Sequence, residues 1–135
     1  MARIDEYLLE VLKRNGSDLH FMAGDPPRLR QYGELQPLAT EPLQPQAVQE
    51  MLLEIMPKRA QDRLDKQDGA DFAHSIPEVA RFRVNVLRHL GGLGAVFRVI
   101  PSRTKTLDEL AMPDAVRALC KSSNGLILVT GKTGS

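Results

Sequence analysis

The chain has 135 residues, a mass of 15.0 kDa and a formal net charge of +1, which suits one full-sized domain with a core but not two. Its 42% hydrophobic and 26% charged residues exclude a mainly disordered protein. The longest apolar run, residues 126–129, is too short to cross a bilayer, and the acidic start at residues 3–6 is not typical of a signal peptide. A single cysteine, Cys120, permits no internal disulfide, so we expect a cytoplasmic protein without membrane insertion.

The first two predicted elements are a helix and a short strand. Apolar residues at helical spacing favour a helix near the start of the chain that ends at an Asn-Gly pair. In the strand over residues 17–21, Leu19 and Phe21 alternate with Asp18 and His20. Alternation points the two apolar side chains to one side of the strand and the two polar ones to the other.

A hairpin and two helices follow. Residues 28–35 alternate around turn residues at 32–34, which predicts the hairpin. After a loop that contains prolines, an apolar stripe predicts a helix, and Pro57 either ends it or starts the next helix at its first turn. Residues 58–67 predict a more polar helix that ends at an Asp-Gly pair.

Three predicted strands complete this part of the chain, at residues 71–76, 81–87 and 93–100. The order of helix, strands, helices and strands is typical of an α+β protein rather than a regular alternation of strand and helix. Residues 101–106 are polar and without pattern, so we expect a domain linker there.

The last part of the chain differs in character. Residues 107–121 predict a loop and a helix with Pro113 at its start. Residues 125–130 are apolar at four successive positions, which favours a strand covered on both faces, as in a parallel sheet.

The five terminal residues fit the first five places of a phosphate-binding loop, a glycine, four variable residues and then Gly-Lys-Ser/Thr. They are Gly131, Lys132, Thr133, Gly134 and Ser135. The loop requires a preceding strand, because it presents backbone N–H groups to phosphates at a helix N-terminus. The predicted strand supplies that context, and a glycine- and serine-rich tail without a ligand is the alternative.

Charge is distributed unevenly along the chain. Residues 41–78 contain eight acids and four bases, whereas residues 79–107 contain six bases and no acid. The second segment is therefore a candidate for facing an anion. The chain has only six aromatic residues and no stripe that mixes bases with aromatics, so we expect no nucleic-acid partner.

The last two strands before the linker bring arginines together. One hairpin register matches their apolar faces and places Arg83 directly opposite Arg98, whereas a shift of two residues places Arg81 opposite Arg98. Opposed like charges destabilise a sheet by up to about 1 kcal/mol. An anion between them would give the pair a purpose, since arginine donates two parallel hydrogen bonds to phosphate. Two solvated arginines that splay apart are the alternative.

Histidines do not form a recognisable site. His20, His74 and His89 are far apart in the chain and lack metal-ligand spacing, which favours surface or turn positions for all three.

The sequence motifs resemble one family. These motifs are SDLHF, AGDPPRLRQYGEL, GADFAHSIPEVARFRVN, GGLGAVFRVIPS, LDELAMP and GLILVTGKTGS. In order and spacing they resemble the cytoplasmic ATPases that retract type IV pili, of the PilT and PilU type, within the wider secretion ATPases. The resemblance extends over residues 17–135. Lys132 departs from it, since the family has proline or a small residue at that variable place.

The resemblance implies a PAS-like N-terminal domain over residues 1–100, mainly an antiparallel sheet with helices. It implies a linker at residues 101–106. Residues 107–135 would be the start of a RecA-like α/β ATPase domain, cut inside the phosphate-binding loop.

The resemblance also implies the ligand. In the family, ATP lies between the two domains and arginines of the first domain reach its phosphates. By motif these are Arg83 and Arg98, with Arg81 as a further candidate. The magnesium ligands and the lysine that contacts the outer phosphates would lie after Ser135, so we expect this chain alone to be inactive.

For the full-length protein, the resemblance implies a homo-hexamer at the cytoplasmic side of the inner membrane, acting on the platform protein of the type IV pilus. An ATPase of pilus extension or type II secretion is one alternative. A stand-alone PAS-like binding module is another.

Overall fold

The computed structural model describes residues 1–101 and 105–131, which belong to two compact units, Met1–Ile100 and Pro101–Ser135. The first unit, described throughout, contains three helices and six strands. In chain order they are α1 (Asp5–Lys13), β1 (Asp18–Met22), β2 (Arg28–Gln31), β3 (Glu34–Pro37), α2 (Pro45–Ile55), α3 (Lys58–Gln67), β4 (Gly69–Ile76), β5 (Ala80–His89) and β6 (Gly92–Ile100). Each helix and strand predicted for this unit is present, and the α+β class is confirmed.

The six strands form one antiparallel sheet in the order β3-β2-β1-β6-β5-β4. One face carries the core, because the inward side chains of the strands alternate with polar ones and meet the apolar stripes of the helices. Fully buried core residues include Leu8, Val11, Leu19, Phe21, Val48, Leu52, Phe82, Val84, Val86 and Phe97. Burying each such side chain stabilises the fold by about 1.5–3 kcal/mol.

The opposite side of the sheet, which we call the open face, carries the polar members of the same alternation. On β5, Arg83 and Asn85 are exposed between buried neighbours, and Arg81 is exposed next to the buried Phe82. The open face therefore displays side chains on a rigid support without contributing to the core.

Two local signals in the sequence have the predicted effect. Tyr32 and Gly33 connect β2 to β3, with φ angles of 50° and 85°. Positive φ at both central residues is the mark of the tight hairpin turn that matches strand twist. Asp68, with a φ of 54°, ends α3 in the left-handed conformation.

Of the second unit, the structure describes residue 101 and residues 105–131. They contain the helix α4 (Asp114–Leu119), preceded by Pro113 as predicted. The strand predicted over residues 125–130 is wrong: these residues form no strand, and Leu126 and Val129 are 83% and 94% exposed. A strand needs a neighbour to pair its N–H and C=O groups, and residues 105–131 contain no other strand. The predicted linker falls partly outside the described residues.

Among the described residues, none of the helices combines the length and apolar character that a membrane span needs.

Candidate functional site

The open face carries a row of charged side chains across four strands. The register of the sheet aligns Arg30 of β2, Asp18 of β1, Arg98 of β6 and Arg83 of β5. The predicted register of β5 and β6, with Arg83 opposite Arg98, is confirmed, and the alternative with Arg81 opposite Arg98 is wrong. Two guanidinium groups therefore extend from adjacent positions of one surface.

A shallow depression of about 380 Å³ lies over this part of the open face. It is lined by Asp71, Arg83, Asn85, Val96 and Arg98. Arg81 is exposed but does not line it, because its register partners, Ser75 and Ile100, lie further along the strands. The structure thus brings together two of the three predicted arginines.

Arg98 is held by a buried carboxylate. Its Nε donates a hydrogen bond of 2.9 Å to Oδ1 of Asp18, whose side chain is only 2% exposed. The hydroxyl of Ser17 donates to the other carboxylate oxygen at 2.7 Å, and Nε of Arg30 lies 3.8 Å away from that oxygen. Asp18 is therefore enclosed by donors on both sides.

These donors determine the charge of Asp18. Burial of the carboxyl acts to raise its pKa and is the largest single influence, but the hydrogen bonds from Ser17 and Arg98 together with the charge of Arg98 lower it below its ordinary value. Asp18 is therefore ionised at neutral pH.

Arg83 is held much more loosely. Its Nη2 lies 3.6 Å from Oδ1 of Asp71, and the two side chains are 71% and 48% exposed. An ion pair this exposed contributes little energy. Arg83 is thus available to a ligand, whereas one nitrogen of Arg98 is already committed.

The pKa of His20 is lowered by its surroundings on the open face. His20 follows Asp18 along the same side of β1, beside Arg28 and Val96. Burial first, and the positive charge of Arg30 second, lower its pKa below the ordinary value. His20 is therefore mainly neutral at neutral pH.

The residues of the predicted phosphate-binding loop are mostly beyond the structural description. Lys132, Thr133, Gly134 and Ser135 lie outside the described residues. Gly131 is described, exposed and not preceded by a strand. Their predicted role stays a prediction.

Two features of the structure were missed in the sequence. Asp18 was assigned only to the polar side of its strand, yet it is buried beneath two arginines. The surface position predicted for His74 is wrong: its side chain is 14% exposed and its Nε2 lies 2.7 Å from Oδ1 of the buried Asp5. The available signal was the position of His74 between Phe72 and Ile76 on one side of the strand, alternating with Asp71, Ala73 and Ser75.

Residues 1–135, the whole chain, match the family model described as Type II/IV secretion system protein. The chain belongs to this family.

Particular relatives are pilus ATPases. The chain is 39% identical over 132 residues to the type IV pilus retraction ATPase PilT of Pseudomonas aeruginosa, covering 98% of this chain and 38% of that protein. It is 30% identical to the type IV pilus ATPase PilU of the same organism, covering 97% and 34%. The crystal structure of the pilus retraction motor PilT with bound ADP matches with a TM-score of 0.79 and 34% identity, covering 100% of this chain and 39% of that one. The chain therefore spans less than two fifths of the length of these relatives.

Proposed function

We propose that this chain is the N-terminal portion of a hexameric ATPase that powers the retraction of type IV pili. The proposal is supported by 39% identity to a retraction ATPase along almost the entire chain. It is supported also by the match in fold to a retraction motor crystallised with ADP.

In this proposal the two units have different roles. Residues 1–100 are a PAS-like domain, residues 101–106 a linker, and residues 107–135 the start of a RecA-like ATPase domain. Residues 126–129 form no strand and are exposed in this chain; in the full-length protein of this proposal they become a strand by pairing with strands after Ser135. Gly131, Lys132, Thr133, Gly134 and Ser135 then open the phosphate-binding loop.

The opposed arginines of the open face carry the mechanism that we propose. Arg83 and Arg98 donate hydrogen bonds to the phosphate groups of ATP, and Arg81, further along β5, contributes positive charge. Side chains directly opposite each other in antiparallel strands have Cβ atoms about 4.5–5.5 Å apart, so two guanidinium groups can contact one polyphosphate. The anion removes their mutual repulsion, and their planar donor groups match phosphate oxygens.

Magnesium has a separate place in the proposal. Among the described residues there is no cluster of three side chains able to hold a metal ion. The resemblance to the pilus ATPases is the ground on which we place the magnesium ligands after Ser135. Because the lysine and magnesium ligands of the loop are also placed there, the chain by itself binds ATP weakly and does not hydrolyse it. Titration calorimetry of the 135-residue chain with Mg²⁺ and ATP checks this, and tight magnesium-dependent binding would contradict it.

We place the full-length protein in the cytoplasm, peripheral at the inner membrane, as a homo-hexamer that acts on the platform protein of the pilus. This part of the proposal rests on the resemblance to the family of pilus retraction ATPases, which the identities of 39% and 30% to PilT and PilU support. Nucleic acid is not among the proposed partners.

The first test is the reading frame beyond codon 135. Gly-Lys-Ser or Gly-Lys-Thr directly after Ser135 supports the motor, because those residues complete the phosphate-binding loop. A stop codon at that point supports a stand-alone binding module instead.

The second test uses ATP turnover by the full-length protein. Arg83→Gln and Arg98→Gln each remove a phosphate donor, so kcat/KM should fall about 100-fold. Arg28→Gln is the matched control, because Arg28 is an exposed arginine of the same sheet. It lies on β2 opposite His20, and β1 separates it from β6, which carries Arg98. Wild-type turnover in both the Arg83 and Arg98 variants would refute the assigned role.

A further inference from the structure

Among the described residues, the two buried charged residues are Asp18 and Asp5, with exposed fractions of 1% and 4%. Asp18 lies on the open face of the sheet. A carboxylate out of contact with water is costly unless it is ionically paired and hydrogen-bonded. Two arginines from strands on either side of β1 cover it, and Ser17 satisfies its second oxygen. The arrangement commits three neighbouring side chains to one carboxylate.

The geometry of the Asp18–Arg98 contact leaves Arg98 able to bind a ligand. The carboxylate accepts from Nε, at 2.9 Å. A guanidinium group has five N–H donors, and those on the two terminal nitrogens remain for another acceptor. The Arg98 side chain is 63% exposed even though its partner is buried, so the contact fixes the inner part of the group while solvent reaches the rest.

The carboxylate also offsets the charge of the opposed pair. Arg98 and Arg83 face each other across β5 and β6, an arrangement that costs energy when both are uncompensated. A negative charge adjacent to one of them lowers that cost and holds its side chain in one orientation before a ligand arrives. Pre-ordering a flexible side chain reduces the entropy lost on binding.

We propose that Asp18 is a positioning residue that fixes the Arg98 guanidinium for contact with a phosphate group. This inference rests on the proposed function, because it takes Arg98 as a phosphate donor. Asp18 itself does not touch the nucleotide; it acts through Arg98. Among residues 1–101 and 105–131, Arg83 is paired with the exposed Asp71 at 3.6 Å and with no buried carboxylate, and it orders when the phosphate binds.

The test is a double-mutant cycle on ATP turnover by the full-length protein. Asp18→Asn keeps the shape of the side chain and removes its charge, Arg98→Gln removes the arginine, and the third variant combines both. We expect Asp18→Asn to lower kcat/KM for ATP by about 10- to 100-fold, because misplacing a binding group by about 1 Å has an effect of this size. In the Arg98→Gln background the same change should alter kcat/KM less than about twofold, because nothing remains to be positioned.

A matched control is available in the same unit. Asp68 accepts a hydrogen bond from Nε of Arg88 at 3.1 Å, a contact of the same type as that between Asp18 and Arg98. Asp68 ends α3 with a φ of 54°, a conformation that asparagine tolerates. Asp68→Asn should leave ATP turnover at the wild-type level.

The outcomes separate this inference from the proposed function. If Arg98→Gln alone has wild-type turnover, the proposed function of Arg98 fails, and the role of Asp18 fails with it. If Arg98→Gln is impaired but Asp18→Asn is not, or if the two losses simply multiply, the positioning role is overturned and the function of Arg98 stands.

A second variant covers the case in which Asp18→Asn does not fold. Ser17→Ala removes the 2.7 Å bond to the second carboxylate oxygen and a 3.4 Å contact of the same hydroxyl with the backbone carbonyl of Arg30. A loss of turnover with Arg98 present and none in the Arg98→Gln background supports the inference. If Ser17→Ala causes no loss of turnover with Arg98 present, or an equal loss with and without Arg98, the positioning role of Asp18 is overturned.

Discussion

The two opposed arginines should respond oppositely when their effect on fold stability is measured. Arg83→Thr removes an exposed ion pair with Asp71, worth less than about 1 kcal/mol. It also removes a like-charge opposition of up to about 1 kcal/mol and introduces a residue favoured in strands. These contributions offset each other, so the free energy of unfolding should change by less than about 0.5 kcal/mol.

Arg98→Thr has a different consequence because it removes a partner of a buried carboxylate. It removes a charged hydrogen bond to Asp18, whose side chain is 2% exposed, at a cost of about 1.5–3 kcal/mol. Relief of repulsion with Arg83 offsets part of this, and Ser17 and Arg30 remain as partners, which leaves a net loss of about 2 kcal/mol.

Thermal unfolding followed by circular dichroism measures the difference. For a unit of this size, 1 kcal/mol shifts the midpoint by about 4–8 °C. Arg98→Thr should therefore lower the melting temperature of the chain by about 8–16 °C, while Arg83→Thr leaves it nearly unchanged. Equal shifts of the melting temperature in the two variants would contradict the claim that Arg98, unlike Arg83, stabilises the fold by pairing with the buried Asp18.

Three further predictions concern acid stability and packing. Because the folded-state pKa of Asp18 is lowered, its contribution to stability is present above about pH 4 and is lost as pH falls through the folded-state pKa. The melting temperatures of wild type and Asp18→Asn should therefore converge in that acid range. A difference in melting temperature that stays constant with pH would refute this. Phe97→Ala opens a cavity at a fully buried position and should cost about 3–5 kcal/mol in urea unfolding, whereas Leu90→Ala, at an exposed hairpin position, should cost less than about 0.5 kcal/mol. In Gly94→Ala the new Cβ would overlap Sδ of Met22, so we expect a loss of stability of about 1–3 kcal/mol. This loss should become smaller in a Met22→Ala background, and additive losses would exclude the contact as the cause.

Local patterns in the sequence were sufficient for the last hairpin of the first unit. Alternation fixed which residues of β5 and β6 face the core, and a short connection left few registers, so the pairing of Arg83 with Arg98 was predictable. The phosphate-binding role of the pair is still a prediction, because it depends on a ligand.

What the sequence did not reveal depends on strands and helices distant in the chain. Asp18 is buried because β1 lies beside β6, which places Arg98 over it from 80 residues away. His74 is paired with Asp5 from 69 residues away. The apolar residues 126–129 have strand character but form no strand in the described chain, because a pattern of side chains cannot supply a hydrogen-bonding neighbour.

The strand order also determines how the first unit can fold. β1 is hydrogen-bonded to β2 on one side and to β6 on the other, so β6 joins two groups of strands, β1–β3 and β4–β5, that share no direct pairing. A nascent chain that has not yet emerged to residue 92 has only those two separate groups. Pairing β6 with β1 closes a long loop of chain, which is entropically slow. The unit should therefore acquire its stability late in synthesis and in a single step.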